Sequence, residues 1–138
     1  MSPPPAESGE ALEAQARSLY LERDYEAAAA HYERAYAAYR REGDQAGAGR
    51  AAVTASWVTG NVLGDWAVRN GWLARARAVL EEAGGDGPER GWLLLTRAFT
   101  EPDARVREAL LREAVAVGRR LGDPDIEFEA LSYLAACW

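Results

Sequence analysis

Apolar positions recur every three or four residues along nearly the whole chain, in stretches bounded by glycine, aspartate and proline. Leu12, Ala16 and Leu19 form one stripe; Ala52, Ser56 and Thr59 a second; Trp92, Thr96 and Phe99 a third; Leu131, Ala135 and Trp138 a fourth. All four share one internal spacing and return about every forty residues, as in supersecondary units that bury their apolar faces by stacking on copies of themselves. Punctuation at Arg23-Asp24, Gly43-Asp44, Gly64-Asp65, Gly84 to Pro88, Glu101-Pro102-Asp103 and Gly122-Asp123-Pro124 divides the chain into seven predicted helices. They fall near 10–22, 25–42, 46–62, 66–83, 88–100, 103–121 and 125–138, and no strand pattern competes. Three consecutive prolines followed by Ser8-Gly9 predict a disordered leader, 1–9, ahead of one helical-repeat domain, 10–138.

The Gly-Asp pairs make compact connectors. Glycine supplies a left-handed residue at a helix end and the following aspartate caps the next helix, so consecutive helices run antiparallel. The second and sixth predicted helices also match one another: Tyr32-Glu33-Arg34-Ala35 leads to Arg40-Arg41-Glu42-Gly43-Asp44 as Leu111-Arg112-Glu113-Ala114 leads to Arg119-Arg120-Leu121-Gly122-Asp123. Leu73 and Ala76 occupy the same places in the fourth helix. The second repeat is distorted, with Arg69 where the others carry a small alanine and one extra residue near Asn61 to Gly64.

Trp92, Leu95, Thr96 and Phe99, and again Leu131, Leu134, Ala135 and Trp138, carry the pattern of bulky, apolar, small and aromatic residues found in the first helix of a tetratricopeptide repeat. Leu12, Ala16, Leu19, Asp24-Tyr25, Ala28, Tyr32 and Ala35 agree with both helices of such a repeat, and the chain resembles that family over residues 10 to 138. The resemblance implies an all-α, tetratricopeptide-like solenoid of about seven antiparallel helices, three and a half repeats. A narrower likeness, carried by Asn61-Val62-Leu63-Gly64-Asp65-Trp66, Asn70 to Ala76, Glu89 to Leu93 and Arg119 to Asp125, is to the repeat region of actinobacterial LuxR-type transcriptional regulators. It implies a regulatory or sensor module that leaves DNA binding to another segment.

In such a solenoid the small residues Ala16, Ser56, Thr96 and Ala135 allow close helix approach. Their neighbours Glu13, Arg17, Tyr20, Val53, Trp57, Gly60, Leu93, Arg97, Thr100, Ser132 and Ala136 are expected to face a concave groove. Arg17, Trp57 and Arg97 form a stripe there, extended by Arg50 and Arg90 and flanked by Tyr20. Guanidinium groups beside an indole suit a protein partner presenting an acidic peptide or a phosphorylated group. The competing reading is that these arginines only pair with helix-face glutamates. Trp66 and Trp72 are expected to seal a helix junction, and Tyr25, Tyr32, Tyr36 and Tyr39 to form a packed ridge with hydroxyls reaching solvent.

Charge narrows the partners. A net charge of −6 and a pI near 4.9 disfavour direct nucleic-acid binding by this segment. No apolar run approaches the ~20 residues of a membrane span, and the start lacks a signal peptide, so a cytoplasmic protein is expected. His31 and Cys137 are the only imidazole and thiol, which leaves no Cys/His metal site; no cofactor cradle or activated nucleophile emerges, and Gly84 to Pro88 lacks the residues of a phosphate loop. The sequence therefore favours a non-catalytic interaction module over a stand-alone adaptor or a small-molecule-binding domain. Trp138 ends the fourth stripe without the second helix that would cover it, so the expectation is either that the chain is a fragment of a longer protein or, if it is complete, that Leu131, Leu134 and Trp138 mediate a homo-oligomer.

Overall fold

The computed structural model describes residues 6–84 and 87–136, and among these the regular structure is entirely helical. Helices α1 (Gly9–Leu21), α2 (Tyr25–Glu42), α3 (Gln45–Ser56), α4 (Trp66–Glu82), α5 (Pro88–Phe99), α6 (Ala104–Leu121) and α7 (Pro124–Ala136) follow the predicted order, and α3 continues into a π-helical turn, Trp57–Val62. Residues 1–5 of the leader expected over 1–9, all three of its prolines among them, and Cys137 and Trp138 lie outside the described residues. The chain divides into two compact units, Met1–Val79 and Leu80–Trp138, with the division inside α4.

Local chemistry sets the helix ends. Ser8 caps α1 by accepting from the Ala11 N–H at 3.1 Å, so that helix begins at Gly9. Gly43 and Gly122 end α2 and α6 in the left-handed region, with φ of 76° and 64°, where a side chain would be strained. The next residue then closes each end: the Asp44 N–H reaches the Tyr39 carbonyl at 3.0 Å, and the Asp123 N–H reaches that of Gly118 at 2.8 Å. The same aspartates start the following helices, Asp44 accepting from Gly47 N–H and Asp123 from Ile126 N–H. Each Gly-Asp pair thus acts as both stop and start.

In the first unit α2 packs against α1 and α3. The contact faces are built largely of alanine: Ala16, Ala28, Ala35, Ala48, Ala51, Ala52 and Ala55 are all fully buried. Small side chains let the helix axes come close, and Leu12, Tyr39 and Val79 fill the remaining space. Arg69, Trp72, Ala76 and Val79 share the buried face of α4, and Trp72 meets Tyr36 edge-on at 5.3 Å.

The distortion expected in the second repeat has a specific form. The helix predicted over 46–62 is α-helical only to Ser56; beyond it the extra residue is absorbed in the π-turn, where Leu63 N–H donates to the carbonyl of Val58, five residues back, at 2.9 Å. Gly60 lies in this turn, and a Cβ on it would stand 2.2 Å from Cδ of Arg69. The absence of a side chain at Gly60 makes room for the bulky Arg69 stem where an alanine was expected. The Arg69 guanidinium lies over the Trp66 ring at 5.6 Å and donates to Asn70 Oδ1 at 3.2 Å.

The second unit packs α6 against α5 and α7 around Leu94, Leu95, Leu110, Leu111, Val115, Val117 and Ile126. Ile126 sits on bare Gly91, where a Cβ would come within 2.8 Å of its Cδ1. Two expectations fail here. Trp92 and Phe99, expected to pack, are 37% and 48% exposed, while Leu93, expected in a groove, is 6% exposed. The face that α5 buries runs through Gly91, Leu94, Leu95 and Ala98, which leaves Trp92 and Phe99 at its margin, Phe99 keeping an edge-on contact with Tyr133 at 6.1 Å. Val53 and Gly60, also expected to face a groove, are buried in the first unit.

Candidate functional site

The most organised polar cluster of the first unit begins with a glutamate on an apolar helix face. Glu13 follows Leu12 on α1 and is 5% exposed, so its charge requires partners. Arg50, in the second turn of α3, supplies two parallel hydrogen bonds, Nε to Oε2 at 2.8 Å and Nη2 to Oε1 at 2.9 Å. The buried Tyr39 hydroxyl, from the last turn of α2, donates to Glu13 Oε1 at 2.8 Å and accepts from Arg50 Nη2 at 3.1 Å. Three helices therefore meet at one closed network.

The network sets the protonation of its members. Burial acts to raise the Glu13 pKa, but hydrogen bonds from Arg50 and Tyr39 outweigh it and hold the carboxyl below its ordinary value. Burial, reinforced by the bond to Glu13, pushes the Tyr39 phenol up to about 12. Hydrogen bonding to Glu13 raises Arg50 further, so the pair remains ionised. Tyr39 corrects the expectation of a tyrosine ridge with solvated hydroxyls: its hydroxyl is buried because Glu13 needs a donor.

Above the network is an open recess of about 290 Å³ lined by Glu10, Glu13, Arg17, Tyr39, Asp44 and Arg50. Glu10, Glu13 and Arg17 share one face of α1 at spacings of three and four residues. Arg17 is exposed and, among the described residues, makes no hydrogen bond or ion pair, so its guanidinium is available at the rim. Glu10 and Asp44 carry negative charge at the other end, with Asp44 Oδ1 occupied by Gly47 N–H.

Of the groove residues expected from sequence, the structure gathers Arg17 and Arg50 around this recess. Tyr20 is half-buried and meets Tyr25 edge-on at 5.3 Å, and Trp57 is half-buried at the start of the π-turn. Arg90 and Arg97 belong to the second unit, where Arg90 pairs with Glu113 and Arg97 is half-buried. Trp72 is buried as a junction residue should be, with the Arg75 guanidinium 4.6 Å from its ring, whereas Trp66 remains 47% exposed. At the expected self-association face Leu131 is exposed, Leu134 packs on the core and Trp138 lies outside the described residues.

The sequence pattern alone does not single out Glu13 and Tyr39 from the other groove and ridge residues. One signal was present: a glutamate between Leu12 and Ala16 on a buried face needs a cation, and Arg50 begins the neighbouring apolar stripe. His31 is half-buried, and its Nδ1 donates to the Ala27 carbonyl at 2.9 Å. Among the described residues no three His, Cys, Asp or Glu side chains converge as metal ligands, and no helix is long and apolar enough to cross a membrane. No family model and no curated protein matches the sequence, and no solved structure matches the fold.

Proposed function

We propose that the chain is a non-catalytic, tetratricopeptide-like interaction module, the regulatory or sensor part of a transcriptional regulator, and that the recess of its first unit receives an acidic residue from a partner peptide. One observation carries the site reading: two arginines, Arg17 from α1 and Arg50 from α3, line the same recess but have different tasks. Arg50 is committed to Glu13 in a bidentate pair that fixes the floor, whereas exposed Arg17 acts on Glu13 through its charge alone and keeps its guanidinium donors open. A guanidinium on a rigid wall loses less freedom on binding than one on a mobile loop.

The lining also orients the ligand. Glu10 and Arg17 are seven residues apart, about 10 Å along α1. A carboxylate is favoured at the Arg17 end, and an amide or ammonium donor at the end formed by Glu10 and Asp44. The recess thus suits a peptide of mixed charge read in one direction. The repeated stripes, the Gly-Asp connectors and the all-helical structure support the tetratricopeptide-like reading.

Titration of isotope-labelled protein with a capped peptide holding glutamate four residues before lysine tests the site, with a glutamine-for-glutamate peptide as control. The acidic peptide should shift the Arg17 side-chain signal and the α1 amides while leaving Arg50 in place. Arg17→Glu should weaken binding about tenfold or more, about 1.4 kcal/mol. Equal shifts with the control peptide, or undiminished binding by Arg17→Glu, would overturn the proposal.

A further inference from the structure

Helix α7 presents two unlike faces. Its inner face is anchored in the second unit: Ile126 and Ala130 are fully buried, and Tyr133 and Leu134 pack on the same core. Its outer face carries Phe128, 70% exposed, and Leu131, 42% exposed, together with exposed Asp125, Ser132 and Ala135. These residues fall at helical spacings of three, four and seven, so they form one continuous strip. The Ser132 hydroxyl turns inward onto the Phe128 carbonyl at 2.8 Å, which makes that part of the strip effectively apolar. Small side chains beyond Phe128 leave room for another helix to approach closely.

The charges identify the occupant. Helix α7 contains Asp125, Glu127 and Glu129 and no basic residue. Glu127 is answered within the unit by Arg119 at 3.0 Å. The carboxylates of Asp125 and Glu129, four residues apart on the flank of Phe128, accept no hydrogen bond and pair with no cation among the described residues. A second α7 would bury the phenylalanine but offer those carboxylates no cation. A helix with an apolar stripe and basic residues along one edge satisfies both features at once.

We propose that the outer face of α7 docks a basic amphipathic helix of a separate protein, with Phe128 as the apolar anchor and Asp125 and Glu129 as the charge readers. This site is independent of the first unit's recess and stands whether or not that recess binds an acidic peptide. The partner helix carries leucine or isoleucine at three- and four-residue spacings and arginine or lysine at positions i and i+4 on one flank.

The full chain is titrated into a labelled eighteen-residue peptide of that design, and into a matched peptide with glutamate at each basic position, with anisotropy as the readout. The basic peptide should bind at least tenfold tighter, with an advantage that shrinks as salt screens the charges. Phe128→Ser should reduce its affinity at least tenfold. Asp125→Lys with Glu129→Lys, on an intact Phe128, should reverse the preference between the two peptides. Equal binding of both peptides, or no loss in Phe128→Ser, would overturn the proposal. Sedimentation showing copies of the chain associated through this face, dissociated by Phe128→Ser but not by the basic peptide, would also overturn it, because a second copy would then be the occupant.

Discussion

The two units solve the problem of joining short helices with different materials. The first brings its helices together on alanines and closes the junction of α1, α2 and α3 with a buried glutamate, a buried tyrosine and an arginine. The second fills its core with Leu94, Leu95, Leu110, Leu111, Val115, Val117 and Ile126. Alanine contacts remove little apolar area per residue, so they stabilise less than interlocked leucines and define a geometry less sharply. A network of three directional groups adds that definition, because each hydrogen bond is met only at one relative placement of the helices. The unit with the ionic junction is also the one with an open polar recess; the unit with the leucine core instead leaves an apolar strip outside.

The comparison can be broken at several points. The largest effect is expected from Leu111→Ala, which opens a cavity in the second unit's core and should cost about 3 kcal/mol, measured by denaturant unfolding followed at resolved amides. A first-unit alanine contact offers no such loss. Next is Gly60→Ala, which places a methyl group against the Arg69 stem and should cost about 1–3 kcal/mol. Adding Arg69→Ala should recover much of that loss, a non-additivity that additive unfolding energies would refute.

The smallest and most graded effect concerns pH. Glu13 titrates below its ordinary value of 4.5 in the folded state, so its contribution is complete above that value and is lost as pH falls through the lowered one. Tyr39 is raised from 10.0 to about 12, so its contribution is complete below pH 10.0 and is lost as pH rises to about 12. First-unit amides should therefore lose protection at both extremes, and Glu13→Gln should flatten the acid side. An unchanged acid limb in that variant would show that Glu13 does not set it.

Much of this architecture was legible in the chain. The Gly-Asp connectors act within a few residues, so Gly43-Asp44 and Gly122-Asp123 could be placed from sequence alone. The irregularity near Asn61 was visible as a break in period, and Arg69 as a misfit. That Gly60 relieves Arg69 was not, because it depends on a contact across the turn. The site was only partly legible for the same reason. Arg17 and Arg50 were both candidates, but their separate tasks follow from Glu13 being buried and Tyr39 reaching it from a third helix. Helical spacing places the stripes on α5 and leaves open which side faces the core, so it does not show that Trp92 and Phe99 lie at the exposed margin.

The ionic junction organises the first unit as the leucine core organises the second. Native-state hydrogen exchange of Arg50→Ala, resolved amide by amide, tests it directly. Removing the cation leaves Glu13 buried without its bidentate partner; because Arg50 is itself half-exposed and solvent screens the pair, the cost is about 1–2 kcal/mol. Protection should fall by that amount in α1, α2 and α3 and stay unchanged in α5, α6 and α7. Unaltered protection in the first three helices, or an equal fall in both units, would contradict it.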